Sequence, residues 1–398
     1  MHRTSTARSS HGAHRPARRP RPLALAALAA TALLGALALA PGTADAAPGD
    51  IGNQGPDFVD VVNPTEATPE SKLWFHDGAW WAVQVKETGQ QADGDPTGST
   101  IIRRLDPATN VWTDAAIIDN RGTAKADVLS EGGTLSIALH KTDRDTGVLE
   151  TNASNFSRFY RFTYNAGAKT YTKVGFTVMN KYEMKALTVD RASNGTLWAA
   201  WTMGTGQADP PPPALGARKV WTQSSVDDGA TWSEPAPMLD QRATATEEDV
   251  ASVIAFGDRV GVMWSDQSVN DGFWFATHTA APGGAWTPAE DAYVGLNRGD
   301  GHLNLKEHNG EVYAAVKTRN DTGQNPLIVL LKRTAGATGQ WSNRTAWVGS
   351  TNVTRPVVQI DATSNEANVF VTGPVLAAEN GELGGVIYGK KVGLATGT

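Results

Sequence analysis

Apolar and polar residues alternate in short runs along this chain, and six of these runs share one pattern. A turn containing Gly, Asp or Asn is followed by five to seven residues in which apolar side chains dominate, and the first copy is Asp77-Gly78-Ala79-Trp80-Trp81-Ala82-Val83. A strand that begins directly after such a turn predicts the second half of a β-hairpin. The other copies are 132–138, 194–201, 257–264, 309–316 and 365–371.

A second pattern follows the first five copies: a strand, a turn containing Gly or Asn, and then Trp or Tyr. Each unit therefore holds about four strands and repeats every 50 to 65 residues or so. No amphipathic run of ten or more residues after residue 47 predicts a helix. Four antiparallel strands at this period are typical of a β-propeller blade. The segments with the second pattern are 101–112, 159–171, 219–232, 273–286 and 328–341.

The sequence thus predicts an all-β protein with six four-stranded antiparallel blades, and seven blades are the alternative. The sixth unit is short, because residues 386–390 look like its third strand and the chain then ends. We expect residues 57–62 to supply the fourth strand, which would close the ring and cover an exposed edge. Residues 47–398 are then a single domain built around a shared repeating core.

The first 46 residues have the features of an export signal. Four arginines lie between residues 15 and 21, an apolar stretch covers 23–40, and Ala44-Asp45-Ala46 fits a cleavage site. Cleavage between Ala46 and Ala47 predicts a secreted protein. Its export could follow the general or the twin-arginine route, and a retained membrane anchor is the alternative.

Charge and composition narrow the function further. The whole chain has a formal net charge of −6. Removing the signal takes away six Arg and one Asp, which leaves 29 basic and 40 acidic residues and a charge of −11. An acidic protein of this kind is not expected to bind nucleic acid or, once the signal is gone, membranes. Without cysteine there is no disulfide, thiolate nucleophile or cysteine-ligated zinc. We expect no metal and no cofactor, although carboxylates could hold a structural calcium ion, and we expect a monomer.

One turn carries a specific motif, in which Ser225, Asp227, Gly229 and Trp232 occupy the sequence Ser-x-Asp-x-Gly-x-Thr-Trp. Asp227 can accept hydrogen bonds from the turn, Gly229 permits a positive φ, and Trp232 can pack behind it. The motif resembles the Asp-box, or BNR repeat, of the sialidase superfamily. That resemblance implies a six-bladed propeller, a glycan ligand and a structural role for the motif at the rim of the blades. The Arg-Ile-Pro motif and the Tyr–Glu pair of typical sialidases are missing, so ordinary sialidase activity is not expected.

Propeller geometry predicts where a site would lie. In each blade the innermost strand starts on the face where the second strand ends, so side chains at these points surround one mouth of the central channel. Ionisable residues recur there along mostly apolar strands. The catalytic candidates are Lys125, Asp127, His140, Glu183, Glu248, Asp249, Asp266 and His302, and the candidates for substrate binding are Lys72, Asn304, Lys317, Arg355 and Trp264.

Two chemistries fit these residues. Hydrolysis of a glycosidic bond needs two carboxyl groups, one protonated and one ionised. Elimination on a uronic acid needs a base for the C5 proton, for which His140 and His302 are candidates, and a cation beside the substrate carboxylate. The sequence leaves both open. It also leaves open a propeller that only binds glycan or protein, and one whose channel is plugged by ion-paired side chains.

Overall fold

The computed structural model describes residues 61–62, 69–90, 96–122, 124–141, 146–204, 218–268, 270–373 and 387–394, although the side chains of 61–62, 87–90 and 96–97 are not included. The predicted signal peptide and most of the predicted closing strand lie outside these residues. Within them, regular structure consists of β-strands and one short 3₁₀ turn, Gly349–Thr351. None of their helices is long or apolar enough to cross a membrane.

The strands form six small antiparallel sheets arranged in a ring, so the prediction of a six-bladed β-propeller is confirmed. The strands of the first three blades are β1 (Val61–Val62), β2 (Leu73–His76), β3 (Ala79–Gln90), β4 (Pro96–Asp106) and β5 (Val111–Asp119); β6 (Lys125–Glu131), β7 (Thr134–His140), β8 (Ser157–Asn165) and β9 (Thr170–Asn180); and β10 (Lys185–Arg191), β11 (Leu197–Met203), β12 (Arg218–Ser225), β13 (Ala236–Pro237) and β14 (Thr244–Ala245). Those of the last three are β15 (Ala251–Phe256), β16 (Arg259–Asp266), β17 (Gly272–Thr279) and β18 (Glu290–Val294); β19 (Leu303–His308), β20 (Glu311–Lys317), β21 (Pro326–Arg333) and β22 (Trp341–Val348); and β23 (Thr354–Asp361), β24 (Glu366–Thr372) and β25 (Ile387–Gly393).

The predicted turn-and-strand repeat corresponds to the first hairpin of each blade. In the fifth blade the turn residues Asn309 and Gly310 have φ angles of 55° and 77°. Two consecutive positive φ angles are what a tight hairpin with the right-handed twist of the strands requires. The hairpin then pairs Leu303 with Val316, so the start of β19 lies beside the end of β20. This register brings the predicted site residues to one face.

The placement of the N-terminal strand needs a correction. Of residues 57–62 only Val61–Val62 are described, and they pair with Lys86 and Val85 of β3 in the first blade. Strand β2 pairs only with residues 79–82 of β3. The inner edge of β3 beyond residue 82 is therefore not covered by β2. An open strand edge is a ready partner for another strand, so β1 extends the line of β2. The sixth sheet has three strands, β23, β24 and β25, in the described part of the chain.

Packing between blades provides the core. The first and second blades enclose a buried cluster that includes Trp74, Trp81, Tyr160 and Phe162. At the centre of the ring the innermost strands surround a cavity of about 350 Å³ whose walls include Ser71, Asp127, Asp190, Ser252 and Asn304. Polar side chains on these strands accept backbone N–H groups of the next blade, as Asp190 Oδ2 does from Ala255 at 2.7 Å. The channel wall therefore also fastens blade to blade.

Candidate functional site

The strand register brings starts of innermost strands and ends of second strands together. Lys125 lies opposite His140 in the second blade, and Lys185 lies opposite Thr202 in the third. In the fifth blade the backbone N–H of Lys317 donates to the carbonyl of His302 at 3.0 Å. The face predicted to carry a site thus holds two histidines, His140 and His302, in similar positions on different blades.

His302 forms the more open of two histidine–carboxylate pairs. Its Nδ1 lies 2.5 Å from Oδ1 of Asp300, and 29% of its side chain is exposed. With Asp300 ionised, Nδ1 carries the proton and Nε2 keeps a free lone pair. The other oxygen of Asp300 accepts a hydrogen bond from Nζ of Lys317 at 3.0 Å. This is the arrangement of an imidazole that can accept a proton.

Residues of the neighbouring blades lie beside His302 at the same end of the ring. A Cβ on Gly301 would come within 2.2 Å of the carbonyl oxygen of Glu248, so the backbones of the fourth and fifth blades touch beside His302. The side chain of Glu248 is exposed. On the other side, Asn304 Oδ1 accepts the N–H of Val358 at 3.1 Å, which sets the start of β19 beside the middle of β23.

Arg355 begins the sixth blade in an unusual backbone conformation. Its φ is 53°, and the pairing of β23 with β24 shifts register between Thr354 and Val357. A β-bulge of this kind redirects side chains, and bulges are common next to active sites. The side chain of Arg355 is exposed. The fourth, fifth and sixth blades therefore place Glu248, His302 and Arg355 on consecutive blades at one end of the ring.

The second pair, His140 with Glu70, is closed. Nε2 of His140 lies 2.5 Å from Oε1 of Glu70, and the two residues are only 2% and 8% exposed. His140 Nδ1 and Glu70 Oε2 have no hydrogen-bond partner and are buried. No atom of this imidazole can reach a substrate in this conformation. The prediction of His140 as a catalytic base is therefore corrected: it ties the start of the first blade to the second blade.

Asp127 and Asn304 also act between blades. Asp127 accepts the backbone N–H of Ser71 at 2.6 Å and that of Val189 at 2.7 Å, which joins the first three blades. Burial raises the pKa of Asp127 to about 8, although both N–H groups favour the carboxylate. Because Ser71 lies level with Asp127, Lys72 lies still deeper along the innermost strands than Lys125. The structure therefore does not bring Lys72 beside His302.

Three of the predicted carboxylates hold loops. Asp249 is fully buried and accepts hydrogen bonds from Thr246, Ser265 and Gln267, at 2.6 to 3.1 Å. Asp266 is also fully buried and accepts hydrogen bonds from the hydroxyl of Thr244 and from the backbone N–H and hydroxyl of Ser268. Glu183 is buried and accepts the hydroxyl of Thr146. Their oxygens are occupied by this chain, so the catalytic roles predicted for them are corrected to structural ones.

Two further predictions are corrected. Trp264 is 0% exposed and donates its indole N–H to the carbonyl of Arg242 at 2.9 Å, so it is a core residue and cannot stack on a sugar. Lys317 is 8% exposed, and its ammonium is shared by Asp300, Asp321 and the carbonyl of Thr318, at 2.9 to 3.0 Å. It has no donor left for a substrate carboxylate, because an ammonium has three.

Sequence reasoning gave no role to Glu70, Asp300 or Asp321. Asp300 was within reach, since it lies two residues before His302 in the run Asp300-Gly301-His302. Glu70 and His140 are 70 positions apart, and only the contact between two blades brings them together. Among the described residues no group of three or more His, Asp or Glu side chains could hold a metal ion.

The turn that carries Ser225, Asp227, Gly229 and Trp232 lies at the opposite end of its blade. Asp227 accepts the Thr231 N–H at 2.9 Å and the Thr231 hydroxyl at 2.6 Å, and these bonds lower its pKa to about 2. Gly229 has a φ of 76°, and Trp232 packs edge-on against Phe159 of the second blade at 5.2 Å between ring centroids. The geometry is that of a structural turn that locks two blades together.

No protein-family model matches this chain, and no curated protein matches its sequence. Solved structures similar to it include an ulvan lyase of polysaccharide lyase family PL25 bound to -[GlcA(1-4)Rha3S]-, at 12% identity over 79% of both chains and a TM-score of 0.47. An α-L-arabinanase of Penicillium chrysogenum is 11% identical over 80% of this chain and 90% of its own, with a TM-score of 0.46. A sialidase of Trypanosoma rangeli is 13% identical over 76% of this chain and 52% of its own, with a TM-score of 0.47.

Proposed function

We propose that this protein is a secreted carbohydrate-active enzyme that cleaves a uronate-containing polysaccharide by β-elimination, with His302 as the base. The observation that carries the proposal is the partly exposed imidazole of His302, whose Nδ1 is held by Asp300. Such a group can take a proton from carbon if a neighbouring cation stabilises the charge that develops. Arg355, exposed on the adjacent blade, is the residue we assign to the substrate carboxylate.

The proposed step balances without a cofactor. Nε2 of His302 takes the C5 proton of the uronate, and the electrons of that C–H bond form the C4=C5 double bond. The bond between C4 and the glycosidic oxygen breaks at the same time, and that oxygen leaves with a proton from water, whose hydroxide takes back the proton held by His302. The products are an unsaturated uronate and a new reducing end.

Hydrolysis is the weaker candidate because of how the carboxylates are used. It needs two carboxyl groups that face the glycosidic bond. Of the five carboxylates predicted as catalytic, Asp127, Glu183, Asp249 and Asp266 are buried and accept hydrogen bonds from this chain. Only Glu248 is exposed.

The test is to incubate the purified chain that starts at Ala47 with uronate polysaccharides and with the same polymers after their carboxyl groups have been reduced to alcohols. Elimination requires the carboxyl group to acidify C5, so we expect new absorbance near about 235 nm from the uronate polymers alone. New reducing ends without this absorbance would mean hydrolysis. Binding without new ends would mean a non-catalytic propeller, and either result would overturn the proposal.

A further inference from the structure

Lys317 and Asp321 form an outer layer behind the His302–Asp300 pair. Lys317 is the last residue of β20, and its ammonium bonds Asp300 Oδ2 at 3.0 Å and Asp321 Oδ1 at 2.9 Å. Asp300 thus uses one oxygen for the imidazole and the other for the ammonium. Asp321, Lys317, Asp300 and His302 thus form a row in which each side chain contacts the next.

We propose that Lys317 and Asp321 are positioning residues that hold the Asp300 carboxylate on Nδ1 of His302 and so keep Nε2 as the open base. Lys317 fixes the rotation of Asp300 because a second hydrogen bond to the other oxygen leaves the carboxylate one orientation. Its charge also opposes protonation of His302, whereas Asp321 partly cancels that effect. The role of these residues in turnover depends on the proposed elimination, but their effect on the imidazole does not.

The burial of Lys317 supports this role over substrate binding. Burial alone would lower the pKa of this lysine, but Asp300 and Asp321 outweigh it and the pKa is raised. The ammonium therefore remains charged wherever a glycan enzyme would work. Lys332 offers a matched control in the same blade, since it is partly buried and pairs with Glu311 at 2.8 Å on β20's other end.

The experiment is ¹⁵N NMR of histidine-labelled protein, with the His302 signals assigned from His302→Gln. In the unaltered protein we expect the neutral ring to carry its proton on Nδ1. In Lys317→Met the midpoint of His302 protonation should move up by about one pH unit, since a nearby positive charge is lost. In Asp321→Asn it should move down, by less, because Asp321 is more exposed. Lys317→Arg should restore the original midpoint, and Lys332→Met should leave it unchanged.

Opposite shifts in Lys317→Met and Asp321→Asn cannot come from general loosening of the blade, which would affect both in the same direction. Equal midpoints in all variants, or a ring protonated on Nε2 in the unaltered protein, would overturn the inference. If the shifts appear but no polysaccharide is cleaved, the positioning stands and the proposed function fails. If cleavage occurs with unchanged midpoints, the reverse holds.

Discussion

The two histidine–carboxylate pairs have the same parts and opposite surroundings. In each, a ring nitrogen lies 2.5 Å from a carboxylate oxygen, and each histidine lies where an innermost strand begins or a second strand ends. His302 bonds through Nδ1 and is 29% exposed along its side chain, whereas His140 bonds through Nε2 and is 2% exposed. The first arrangement leaves a nitrogen for a substrate, and the second leaves none.

The difference follows from what covers each pair. Residues 69–72 lead into the first blade and contact the second, where the backbone N–H of Val128 donates to the carbonyl of Ser71 at 2.8 Å, next to Glu70. In the fifth blade the partner, Asp300, belongs to the same segment as His302, two residues before it. The His302–Asp300 pair lies within one segment and stays partly exposed. The His140–Glu70 pair joins two blades and is buried between them. Side-chain chemistry alone therefore does not distinguish a catalytic base from a histidine that holds two blades together.

The largest expected effect is on catalysis and concerns His302. His302→Gln should lower kcat by roughly 10²–10⁴-fold, the usual contribution of a general base, without changing the free energy of unfolding by more than about 1 kcal/mol, the upper value for a partly exposed ion pair. Steady-state rates on the cleaved polysaccharide and urea unfolding measure the two quantities. His308→Gln, on the same strand at the opposite end, should keep full activity. Equal loss in both variants would contradict the special role of His302.

The second prediction concerns His140, where we expect the main loss to be in stability and not in activity. His140→Leu leaves the buried carboxylate of Glu70 without its partner, which should lower the free energy of unfolding by about 3 kcal/mol or more. The double variant Glu70→Leu/His140→Leu should recover part of that loss, because no unpaired buried charge remains. Urea unfolding of both variants is the measurement. Strictly additive losses would mean that the two residues do not act as a pair.

The contrast also shows how far the sequence reaches. The repeat predicts the blades and the phase of their strands, and the structure pairs Lys125 with His140 and sets Lys317 beside His302. The repeat does not predict burial. Asp249 and Asp266 occupy positions in the repeat similar to that of His302, but both are fully buried. Trp264 shows the same limit for aromatic residues, since a strand in a propeller is covered on both faces by neighbouring blades. Partners from other blades, such as Glu70, leave no local pattern.

The third prediction separates lost stability from lost chemistry. A Cβ on Gly229, whose φ is 76°, would lie 2.2 Å from the ring of Phe159, whereas Gly195, with a φ of 89°, has nothing within 4 Å. Gly195→Ala should cost about 1 kcal/mol of stability from backbone strain, and Gly229→Ala about 2 kcal/mol more from the clash. Both turns lie away from His302, so the folded variants should keep full activity. A loss of kcat in Gly229→Ala at temperatures where it is folded would contradict this separation, because it would show that the turn affects the site and not only stability.

The smallest expected effect is on the pH dependence of stability and concerns Asp127, which joins the first three blades. The pKa of Asp127 is about 8 in the folded protein, against 3.8 for its ordinary value, because the carboxyl is buried between the first three blades. Between these two values the folded chain holds one more proton than the unfolded chain. Stability from this group is therefore complete below pH 3.8 and is lost as the pH rises through 8.

Between pH 6 and 7 this proton difference should lower the free energy of unfolding by about 1.4 kcal/mol relative to a chain without it. Asp127→Asn removes this titration. Between pH 6 and 7 the free energy of unfolding of the variant should therefore fall by about 1.4 kcal/mol less than that of the unaltered protein. The comparison is made by urea unfolding at the two pH values, which cancels other groups because they are present in both chains. Parallel pH dependence in the two proteins would mean that Asp127 is ionised in the fold. Its hydrogen bonds from Ser71 and Val189 would then outweigh burial, and the charge would itself be part of how the first three blades are joined.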